Sequence, residues 1–546
     1  VDAYQIDPAG RARYDVRSER GAVLKVAPDF RSREIVATGV RFTVALELNH
    51  EGDLFATDQE GATWLPNGNP FDELLHIRPG RHYGFPPRHP KHLPGVIDEP
   101  STFDYEPQHQ STCGLIFNGV GAEPRFGPEE WAGDALVCGY SRGKLYRTHL
   151  AKVRGEYVAK TDQIATAGML LVDACVGADG SLVVAAHGGM PDWGSGPEGK
   201  GALFKIRHVE RELPLPTLAW SSGPREVRVA FERPLEPESL RDLAKGASIE
   251  FGPSVAPADR FESLRPGYAV VAMQTADPRD LLPIRSVGLA PDRRTLILTT
   301  DQQTTAVSHA LTLPGLGRPP ASPSGFDSPA SRLVPLKQRP ETDLAFTLNG
   351  AEARWRSEAD GRETTLWLPH VDLAAARGLT AASSEHDRFW ADVAEPGLLT
   401  LKTQLRLKDL LRPAVQPGST VDAAFPPERP SLTIRARRGV QVEAPGAQAT
   451  TREAGDGLVE IVLDFAPVSD APIPLTLTVP TGADAVLELA FHTHEDARPR
   501  LLPPNRLLVP WASLHDDSGE SRETPVPPEY AGGDRRRGRE VFFGPV

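Results

Sequence analysis

Apolar and polar residues alternate over short stretches in most of the chain, and this period of two predicts half-buried β-strands. In the first 208 residues the strands belong to a degenerate repeat of two elements. One element is a small turn followed by a strand, as in HEGDLFATD (50–58), WAGDALVCG (131–139) and GADGSLVVAAH (177–187). The other is a strand led by glycine, as in GAVLKV (21–26), GKLYRT (143–148) and GALFKI (201–206), with DELLHI (72–77) as a looser copy.

The turn glycines of the first element, Gly52, Gly133 and Gly180, indicate the size of the repeat. They are 81 and 47 residues apart. Taking the longer spacing as two units gives a period in the low forties, the size of one four-stranded β-propeller blade. Three to four such units fit into residues 1–208, whereas propellers close with about four to eight blades. The sequence therefore predicts an incomplete propeller whose first blades lie upstream of Val1.

Longer alternating strands follow the repeat. REVRVAFERPL (225–235), PESLRDLA (237–244, a short helix) and TLILTT (295–300) predict a β-sandwich module at 209–314. A Pro/Ser/Gly-rich linker is expected at 315–340. LLTLKTQLRL (398–407), SLTIRAR (431–437), LVEIVLDF (458–465) and PLTLTV (474–479) predict a second β-sandwich module at 341–500. The predicted fold class is thus mainly β: a partial or complete propeller, two sandwich modules, and a Pro-rich connector at 501–546.

Composition excludes several classes of function. The formal charge of −13 and the isoelectric point near 5.7 leave no basic footprint for nucleic acid. No stretch approaches the ~18 apolar residues of a membrane helix. The three cysteines, Cys113, Cys138 and Cys175, are not spaced as CxxC or CxxCH, so this chain has no ligands for covalent haem or a structural zinc pair. One disulfide is left open.

Five segments of residues 1–208 form a recognisable series: ATGVRFTVALELNHEGDLFATDQEG (37–61), DELLHIRPGRHYGFP (72–86), HQSTCGLIFN (109–118), WAGDALVCGYSRGKLYRTHL (131–150) and VDACVGADGSLVVAAHGGMPDWGSGPEGKGALFKI (172–206). Taken together, they resemble the β-propeller of the glucose/sorbosone dehydrogenase superfamily, the pyrroloquinoline-quinone (PQQ) sugar dehydrogenases. The version they resemble is that of multidomain c-type cytochromes of the planctomycete and verrucomicrobial kind.

The end of the chain carries a second resemblance. PPEYAGGDRRRGREVFFGPV (527–546) resembles the lead-in to a class I cytochrome c domain, with a solvated basic tail as the alternative. Together the two resemblances imply a periplasmic or otherwise extracytoplasmic oxidoreductase. It would oxidise a carbohydrate or polyol and pass electrons to haem c in a domain beyond Val546. The rival hypothesis is a non-catalytic carbohydrate-binding or scaffold propeller that has lost its quinone.

Three polar residues on predicted propeller loops and strand ends are the catalytic candidates: His109, Asp173 and His187. An imidazole has an ordinary pKa of ~6.5 and can take a proton from a sugar hydroxyl, while a carboxylate can orient it. Hydrogen bonding within loops is the alternative explanation for all three.

The cofactor candidates are Arg142 and Lys144, whose charges suit an acidic quinone or a carboxylated sugar, and Trp193, which can stack on a sugar ring. A buried tryptophan without a ligand is the alternative for Trp193. Leu171 and Val172 stand where quinone users of the family place arginine, which favours the non-catalytic hypothesis.

The segment 72–86 resembles a stretch that contributes oxygens to calcium in related sugar dehydrogenases. It implies that Asp72, Glu73 and Tyr83 are metal ligands. Calcium takes ~6–8 oxygen ligands, more than this segment supplies. The alternative is that Asp72 caps a turn and the residues from Tyr83 onward pack against a blade edge.

Overall fold

Antiparallel strands make up most of the structure, a computed structural model, which confirms the mainly β fold class. It describes residues 4–6, 12–14, 18–60, 69–86, 95–167, 169–188, 200–208, 214–258, 274, 276–314, 341–417, 419 and 425–514. The predicted cytochrome c lead-in, the linker 315–340 and Trp193 lie outside these residues. In the described ranges no sheet closes on itself.

The strands of the first region form five small sheets. They are β1 (Tyr4–Ile6) with β2 (Ala12–Tyr14); β3 (Ala22–Val26) with β4 (Arg33–Thr38); β5 (Thr43–Leu48), β6 (Leu54–Asp58), β7 (Glu73–His76) and β8 (Phe103–Asp104); β9 (Thr112–Phe117), β10 (Ala135–Gly139), β11 (Lys144–Val153) and β12 (Glu156–Thr166); and β13 (Leu170–Val176), β14 (Leu182–His187) and β15 (Ala202–Ile206). Within each sheet the strands pair in chain order.

The last three of these sheets are arranged like the blades of a propeller. The first strands of the three sheets contact one another: β9 contacts both β5 and β13. In a propeller the first strand of each blade lies nearest the axis, and the later strands lie progressively farther out. The arrangement is consistent with a propeller-like fold.

The repeat predicted from the sequence falls on equivalent structural positions. Gly52, Gly133 and Gly180 each lie between the first and second strands of a sheet, with φ of +84°, +78° and +72°. Left-handed backbone of this kind favours glycine. The glycine-led strands and their looser copy are the third strands β7, β11 and β15 of these sheets, whereas GAVLKV forms β3 of a two-stranded sheet.

One inference from the repeat is wrong. The 81-residue spacing spans one sheet rather than two, because Gly52 and Gly133 lie in consecutive sheets. The sheet that starts with β5 contains the long connections 59–72 and 77–102. These connections add to the spacing between Gly52 and Gly133, so one sheet spans the length expected for two.

The first sandwich consists of two four-stranded sheets around one apolar core. Its elements are β16 (Pro216–Gly223), β17 (Glu226–Phe231), α1 (Leu240–Gly246) after a 3₁₀ turn (Pro237–Ser239), β18 (Ser248–Gly252), β19 (Asp280–Leu282), β20 (Ile284–Leu289), β21 (Thr295–Thr300), β22 (Ser308–Pro314) and β23 (Glu341–Phe346). The sheet orders are β16-β17-β21-β20 and β19-β18-β22-β23. The structure pairs β23 with β22, whereas the sequence predicts residue 341 as the start of the second module.

The second sandwich pairs a sheet of order β25-β24-β26-β31-β28, with β33 added to β26, against a sheet of order β29-β30-β27-β32. Its elements are β24 (Ala351–Ser357), β25 (Glu363–Leu368), α2 (Leu373–Thr380), α3 (Ser384–Val393), β26 (Gly397–Leu405), β27 (Pro430–Arg437), β28 (Gln441–Glu443), β29 (Ala447–Gly455), β30 (Leu458–Phe465), β31 (Ile473–Thr481), β32 (Leu487–Thr493) and β33 (Leu507–Leu508). The core includes Trp355, Phe389, Leu399, Ile434 and Phe491.

The two helices of the second sandwich are absent from the sequence prediction. The Asp372 side chain accepts from the N–H groups of Ala374 and Ala375 and so caps the start of α2. Helix α2 then packs on β11 so closely that a Cβ at Gly378 would lie 2.6 Å from the Ala151 Cβ. The second sandwich is therefore joined directly to the propeller-like region.

The structure shows the state of the three cysteines and the lengths of the helices. All three cysteines are free thiols, with Cys113 and Cys138 buried and Cys175 exposed, so the disulfide left open above does not form here. Among the described residues no helix is long and apolar enough to span a membrane.

Candidate functional site

The loop between β8 and β9 carries the imidazole at the centre of the candidate site. His109 Nδ1 lies 3.1 Å from Oδ2 of Asp72, the residue just before β7. The other ring nitrogen, Nε2, lies 2.9 Å from Ser111 Oγ, and the Ser141 hydroxyl donates to Ser111 Oγ at 2.7 Å. All four side chains are buried. Hydrogen bonds join Ser141, Ser111 and His109, and an ion-pair contact joins His109 to Asp72, so the four residues link two neighbouring sheets.

The charge of Asp72 favours one tautomer of His109. An ionised carboxylate only accepts, so the 3.1 Å contact with Asp72 Oδ2 favours the ring hydrogen on Nδ1. Its Nε2 is then an acceptor. Because Ser111 Oγ accepts from Ser141, the Ser111 hydrogen can point at Nε2. Every proton in this set is thus directed towards Asp72, and His109 presents a basic nitrogen to a hydroxyl group.

Asp72 is held by three backbone donors. Its Oδ1 accepts from the N–H of Glu60 at 3.0 Å, and its Oδ2 accepts from Gln110 and Ser111 at 2.8 Å each. Burial alone raises the pKa of this carboxyl, but the imidazole and the backbone donors outweigh burial and lower the pKa below its ordinary value. Asp72 is therefore ionised and fixed in orientation.

Ser111 has the left-handed backbone that places its hydroxyl beside the imidazole. Its φ is +51°, a conformation that a residue with a Cβ seldom adopts. Non-glycine residues in this region persist where the surroundings determine them, and such residues cluster at functional sites. Here the carboxylate of Asp72 binds the Ser111 N–H and stabilises the turn.

Buried cations and amides complete the site. Arg142 and Lys144, on the turn from β10 into β11, are almost fully buried. Arg142 Nη2 donates to Gln274 Oε1 at 3.1 Å, and the backbone N–H of His109 donates to the same oxygen at 3.0 Å. Gln274 belongs to the first sandwich, so this site is built by more than one module.

A second group of buried carboxyls lies next to Asp72. Burial and the negative charge of Asp58 raise the pKa of Glu60 well above its ordinary value, and burial raises the pKa of Asp58 to about 6. The pKa of Glu73 is also raised well above normal, by burial and by Glu60. Burial and mutual repulsion thus shift both glutamates towards their neutral form.

Two of the three side chains predicted as calcium ligands have other partners. The oxygens of Asp72 bind backbone N–H groups and His109. The Tyr83 hydroxyl donates to the His76 carbonyl at 2.6 Å and accepts from the Arg78 N–H at 2.8 Å. In the part of the chain that the structure describes, no group of three His, Cys, Asp or Glu side chains is arranged to hold a metal. The predicted set does not fit calcium.

The other two catalytic candidates lie in the sheet formed by β13, β14 and β15. His187 ends β14, and its Nδ1 lies 3.2 Å from the Tyr140 hydroxyl. Asp173, in β13, faces Ala185 across the strand pair and accepts from the N–H of Ala174. The carboxylate that orients an imidazole is thus Asp72, which the sequence assigns to calcium, and not Asp173. The role predicted for His187 stays a prediction.

Sequence reasoning missed Ser141, Gln274 and Gln416 as parts of this site. Gln274 Nε2 donates to Gln416 Oε1 at 2.7 Å, and Gln416 Nε2 donates to the Pro70 carbonyl at 3.0 Å. These glutamines come from the two sandwich modules, far along the chain from His109. A single glutamine has no spacing or motif that would have revealed it.

Comparisons with known proteins give limited similarity. No protein-family model matches the chain, and no curated protein matches it. Among solved structures, an oxidoreductase of Thermus thermophilus described as a glucose dehydrogenase is 20% identical over 35% of this chain and 56% of its own, with a TM-score of 0.27. The PQQ-bound aldose sugar dehydrogenase of Streptomyces coelicolor is 18% identical over 35% and 53% of the two chains, also with a TM-score of 0.27.

The soluble aldose sugar dehydrogenase of Escherichia coli, in its apo form, is 19% identical over 32% of this chain and 46% of its own, with a TM-score of 0.24. The chain thus spans about half of the length of these sugar dehydrogenases. TM-scores of this size do not define a common fold.

Proposed function

We propose that this chain is part of an oxidoreductase of the sugar-dehydrogenase type that oxidises a hydroxyl group of a carbohydrate or polyol. The observation that carries the proposal is the buried set in which Ser141 and Ser111 hydrogen-bond towards His109 and the Asp72 carboxylate lies 3.1 Å from the other ring nitrogen. A hydroxyl that is oxidised to a carbonyl loses one proton and one hydride. The proton needs a base, and His109 Nε2 is a basic nitrogen whose partner carboxylate stabilises the imidazolium that forms.

The chain's own residues take the proton and exclude water. Substrate oxygen would bind at or beside the Ser111 hydroxyl, from which a proton reaches His109 Nε2 over the 2.9 Å contact. Asp72 remains ionised throughout, because three backbone donors and the imidazole stabilise its charge. Burial of the whole set strengthens each of these electrostatic contacts.

The hydride requires an acceptor, and PQQ, when bound, would supply a two-electron quinone for it. The charges present fit such an acidic group: Arg142 and Lys144 are buried cations, and Arg142 lies beside the His109 backbone. Arginine binds carboxylates with two parallel hydrogen bonds, which suits this role. No geometry of the bound quinone follows from these residues.

The remaining parts of the proposal rest on the sequence. Electrons would leave to haem c in a domain that follows residues 527–546, and the protein would work outside the cytoplasm. The support is the resemblance of that segment to a cytochrome c lead-in.

A non-catalytic carbohydrate-binding or scaffold propeller is the second candidate, and one observation favours it. Leu171, at the position where quinone users of the family place arginine, is buried in the apolar core between the second and third blade-like sheets. An arginine there would lose its hydration without a partner. Packing of Leu171 in this core therefore supports the non-catalytic candidate.

The two candidates are separated by reconstitution. The protein is incubated with PQQ and calcium, and reduction of an artificial dye is measured with a panel of neutral and acidic sugars. We expect turnover with at least one sugar, and a loss of about 10²–10⁴-fold in kcat for His109→Gln, the usual contribution of a general base. His492→Gln, on a strand of the second sandwich, is the matched control and should keep wild-type turnover.

Turnover that survives in His109→Gln would overturn the assignment of the base. Absence of both PQQ binding and turnover, with retained sugar binding, would leave the non-catalytic candidate.

A further inference from the structure

A cleft lies where the propeller-like region meets the second sandwich. Its volume is about 520 Å³, including its opening to solvent. This is within the ~300–1,000 Å³ of small-molecule sites, which often form between domains. The sheet of β5 to β8, the start of β12 and the second sandwich all contribute to its walls, with polar side chains from His76, Arg78, Glu99, Glu156 and Arg500.

The cleft and the candidate site around His109 lie at opposite ends of one strand. Asp72 immediately precedes β7, and His76 is the last residue of β7. A rise of ~3.3 Å per residue therefore separates them by about 13 Å along the strand. His109 and Ser111 are not among the described residues that line the cleft. The cleft is thus a separate place in the molecule.

Two ion pairs line the cleft, and their formal charges balance. Arg500 Nη2 donates to Glu99 Oε2 at 2.9 Å, and both side chains are less than a tenth exposed. Arg78 Nη1 donates to Glu156, and these two side chains keep 33% and 25% of their surface exposed. Burial raises the pKa of Glu156, but Arg78 opposes this shift by stabilising the ionised carboxylate. The outer pair, Arg78 with Glu156, is therefore the one that a ligand can reach.

The charged neighbours just outside the lining balance as well. They are three cations, Arg81, Arg498 and Lys152, and three carboxylates, Asp496, Asp53 and Glu51. A charged ligand would be attracted by one member of each pair and repelled by the other. A hydroxyl group instead donates to a carboxylate and accepts from a guanidinium, so it can bridge the two members of a pair.

Two rings add a less polar surface beside the outer ion pair. His76 and Tyr157 pack edge to face, with ring centroids 5.1 Å apart, and both line the cleft. Burial lowers the pKa of His76 to about 4, so its ring is neutral at pH 7. A sugar presents hydroxyl groups at its rim and C–H groups on its faces. Ion pairs beside rings match this distribution.

We propose that this cleft is a second binding site, which takes a neutral sugar or polyol. Hydroxyl groups of the ligand bridge Arg78 and Glu156, and its C–H groups pack against the side chains of His76 and Tyr157. The proposal goes beyond the reaction at His109, because binding here needs neither a base nor a quinone. It assigns a carbohydrate contact to the junction that the second sandwich forms with the propeller-like region.

The test is isothermal titration at pH 7 with a neutral, an anionic and a cationic probe: D-glucose, D-glucuronate and N-methyl-D-glucamine. We expect D-glucose to bind more tightly than either charged probe. Arg78→Gln should weaken D-glucose binding about tenfold, the loss expected when one charge-assisted hydrogen bond is removed. His109→Gln should leave this binding unchanged, because His109 does not line the cleft.

Arg354→Gln is the matched control. Arg354 forms an ion pair with Glu363 on the second sandwich, outside the cleft. Its substitution should leave the affinity for D-glucose at the wild-type value. Circular dichroism and the thermal midpoint of each variant report folding. If Arg78→Gln unfolds, Glu156→Gln replaces it, and this variant should weaken D-glucose binding in the same way.

Hydrogen exchange locates the bound sugar. D-glucose should protect backbone amides of residues 99–102 and 156–158, which line the cleft. Protection confined to residues 109–111 would place the sugar at the candidate site and overturn the proposal. Absence of protection at 99–102 and 156–158, wild-type affinity in Arg78→Gln, or tighter binding of either charged probe would also overturn it.

Discussion

The core of the second sandwich and the site around His109 are buried to a similar degree but composed of opposite chemistry. Trp355, Phe389 and Leu399 are at most 1% exposed and are surrounded by other apolar side chains. Asp72 and His109 are also at most 1% exposed, yet they lie among carboxyls, amides and cations. Burial in the first region stabilises the fold directly, because apolar surface leaves water.

Burial in the second region removes hydration that only hydrogen bonds and charge pairs can replace. A protein stable through apolar packing alone has no need of such a site. The two regions therefore differ in what stabilises them: apolar burial in the sandwich core, and hydrogen bonds and charge pairs around His109. Substitutions in the sandwich core should lower stability through lost apolar packing, whereas substitutions around His109 should lower it through lost hydrogen bonds and charge pairs.

The largest loss of stability is expected in the apolar region. Trp355→Ala should lower the free energy of unfolding by about 3–5 kcal/mol, through lost transfer energy and the cavity that remains. It also removes the indole N–H that donates to Thr481 Oγ1 at 2.9 Å. Urea denaturation followed by circular dichroism measures the change, with retained dye reduction expected in the folded protein.

Leu398→Ala is the control for this prediction. Leu398 is in β26, next to the core position Leu399, but its side chain is half-exposed. Its loss of stability should stay below about 1 kcal/mol. Equal losses for Trp355→Ala and Leu398→Ala would contradict the packing of the second sandwich described above.

The second effect is expected at Asp72 and depends on pH. Asp72→Asn replaces an acceptor-only carboxylate with an amide that cannot stabilise the His109 imidazolium, and we expect a loss of about 2–3 kcal/mol at pH 7. The pKa of Asp72 is lowered in the folded protein, so its contribution is complete above the ordinary value of ~3.9 and disappears as the pH falls through the folded value.

The stability difference between wild type and Asp72→Asn should therefore shrink below about pH 4. Urea midpoints between pH 3 and 8 measure it. A difference that stays constant over this range would mean that Asp72 is not ionised in the folded state. Asp464→Asn, on the partly exposed β30 of the second sandwich, controls for general effects of acid.

The contrast between the two regions also explains which parts of the structure can be predicted from the sequence and which cannot. The alternation in LVEIVLDF gives the strand Leu458–Phe465 with its bounds, and TLILTT gives Thr295–Thr300, because apolar packing against one face leaves a period of two. The helices Leu373–Thr380 and Ser384–Val393 are not predicted, since short helices inside a β-rich region lack a long periodic stretch.

The polar site is only partly predictable, because hydrogen bonds between distant residues leave no periodic signal. His109 and Arg142 are identified by residue type and position in a loop. The contacts of Asp72 could not be predicted, because a carboxylate looks the same in the sequence whether it binds calcium or backbone N–H groups. Gln274 and Gln416 could not be found, since their role depends on how three modules pack.

The smallest effects are expected at the repeated turns of the sheets that carry the site, and they test the repeat itself. Gly52→Ala should lower the free energy of unfolding by about 1 kcal/mol, the usual penalty for a Cβ at positive φ, because no atom lies within 4 Å of the new Cβ. Gly180→Ala should lose about 1 kcal/mol more. Its Cβ would lie 2.9 Å from the Arg125 carbonyl oxygen, a backbone atom that cannot rotate away. Urea denaturation measures both losses. Equal losses at the two turns would show that the sheet of β13, β14 and β15 does not pack against the Arg125 loop as described.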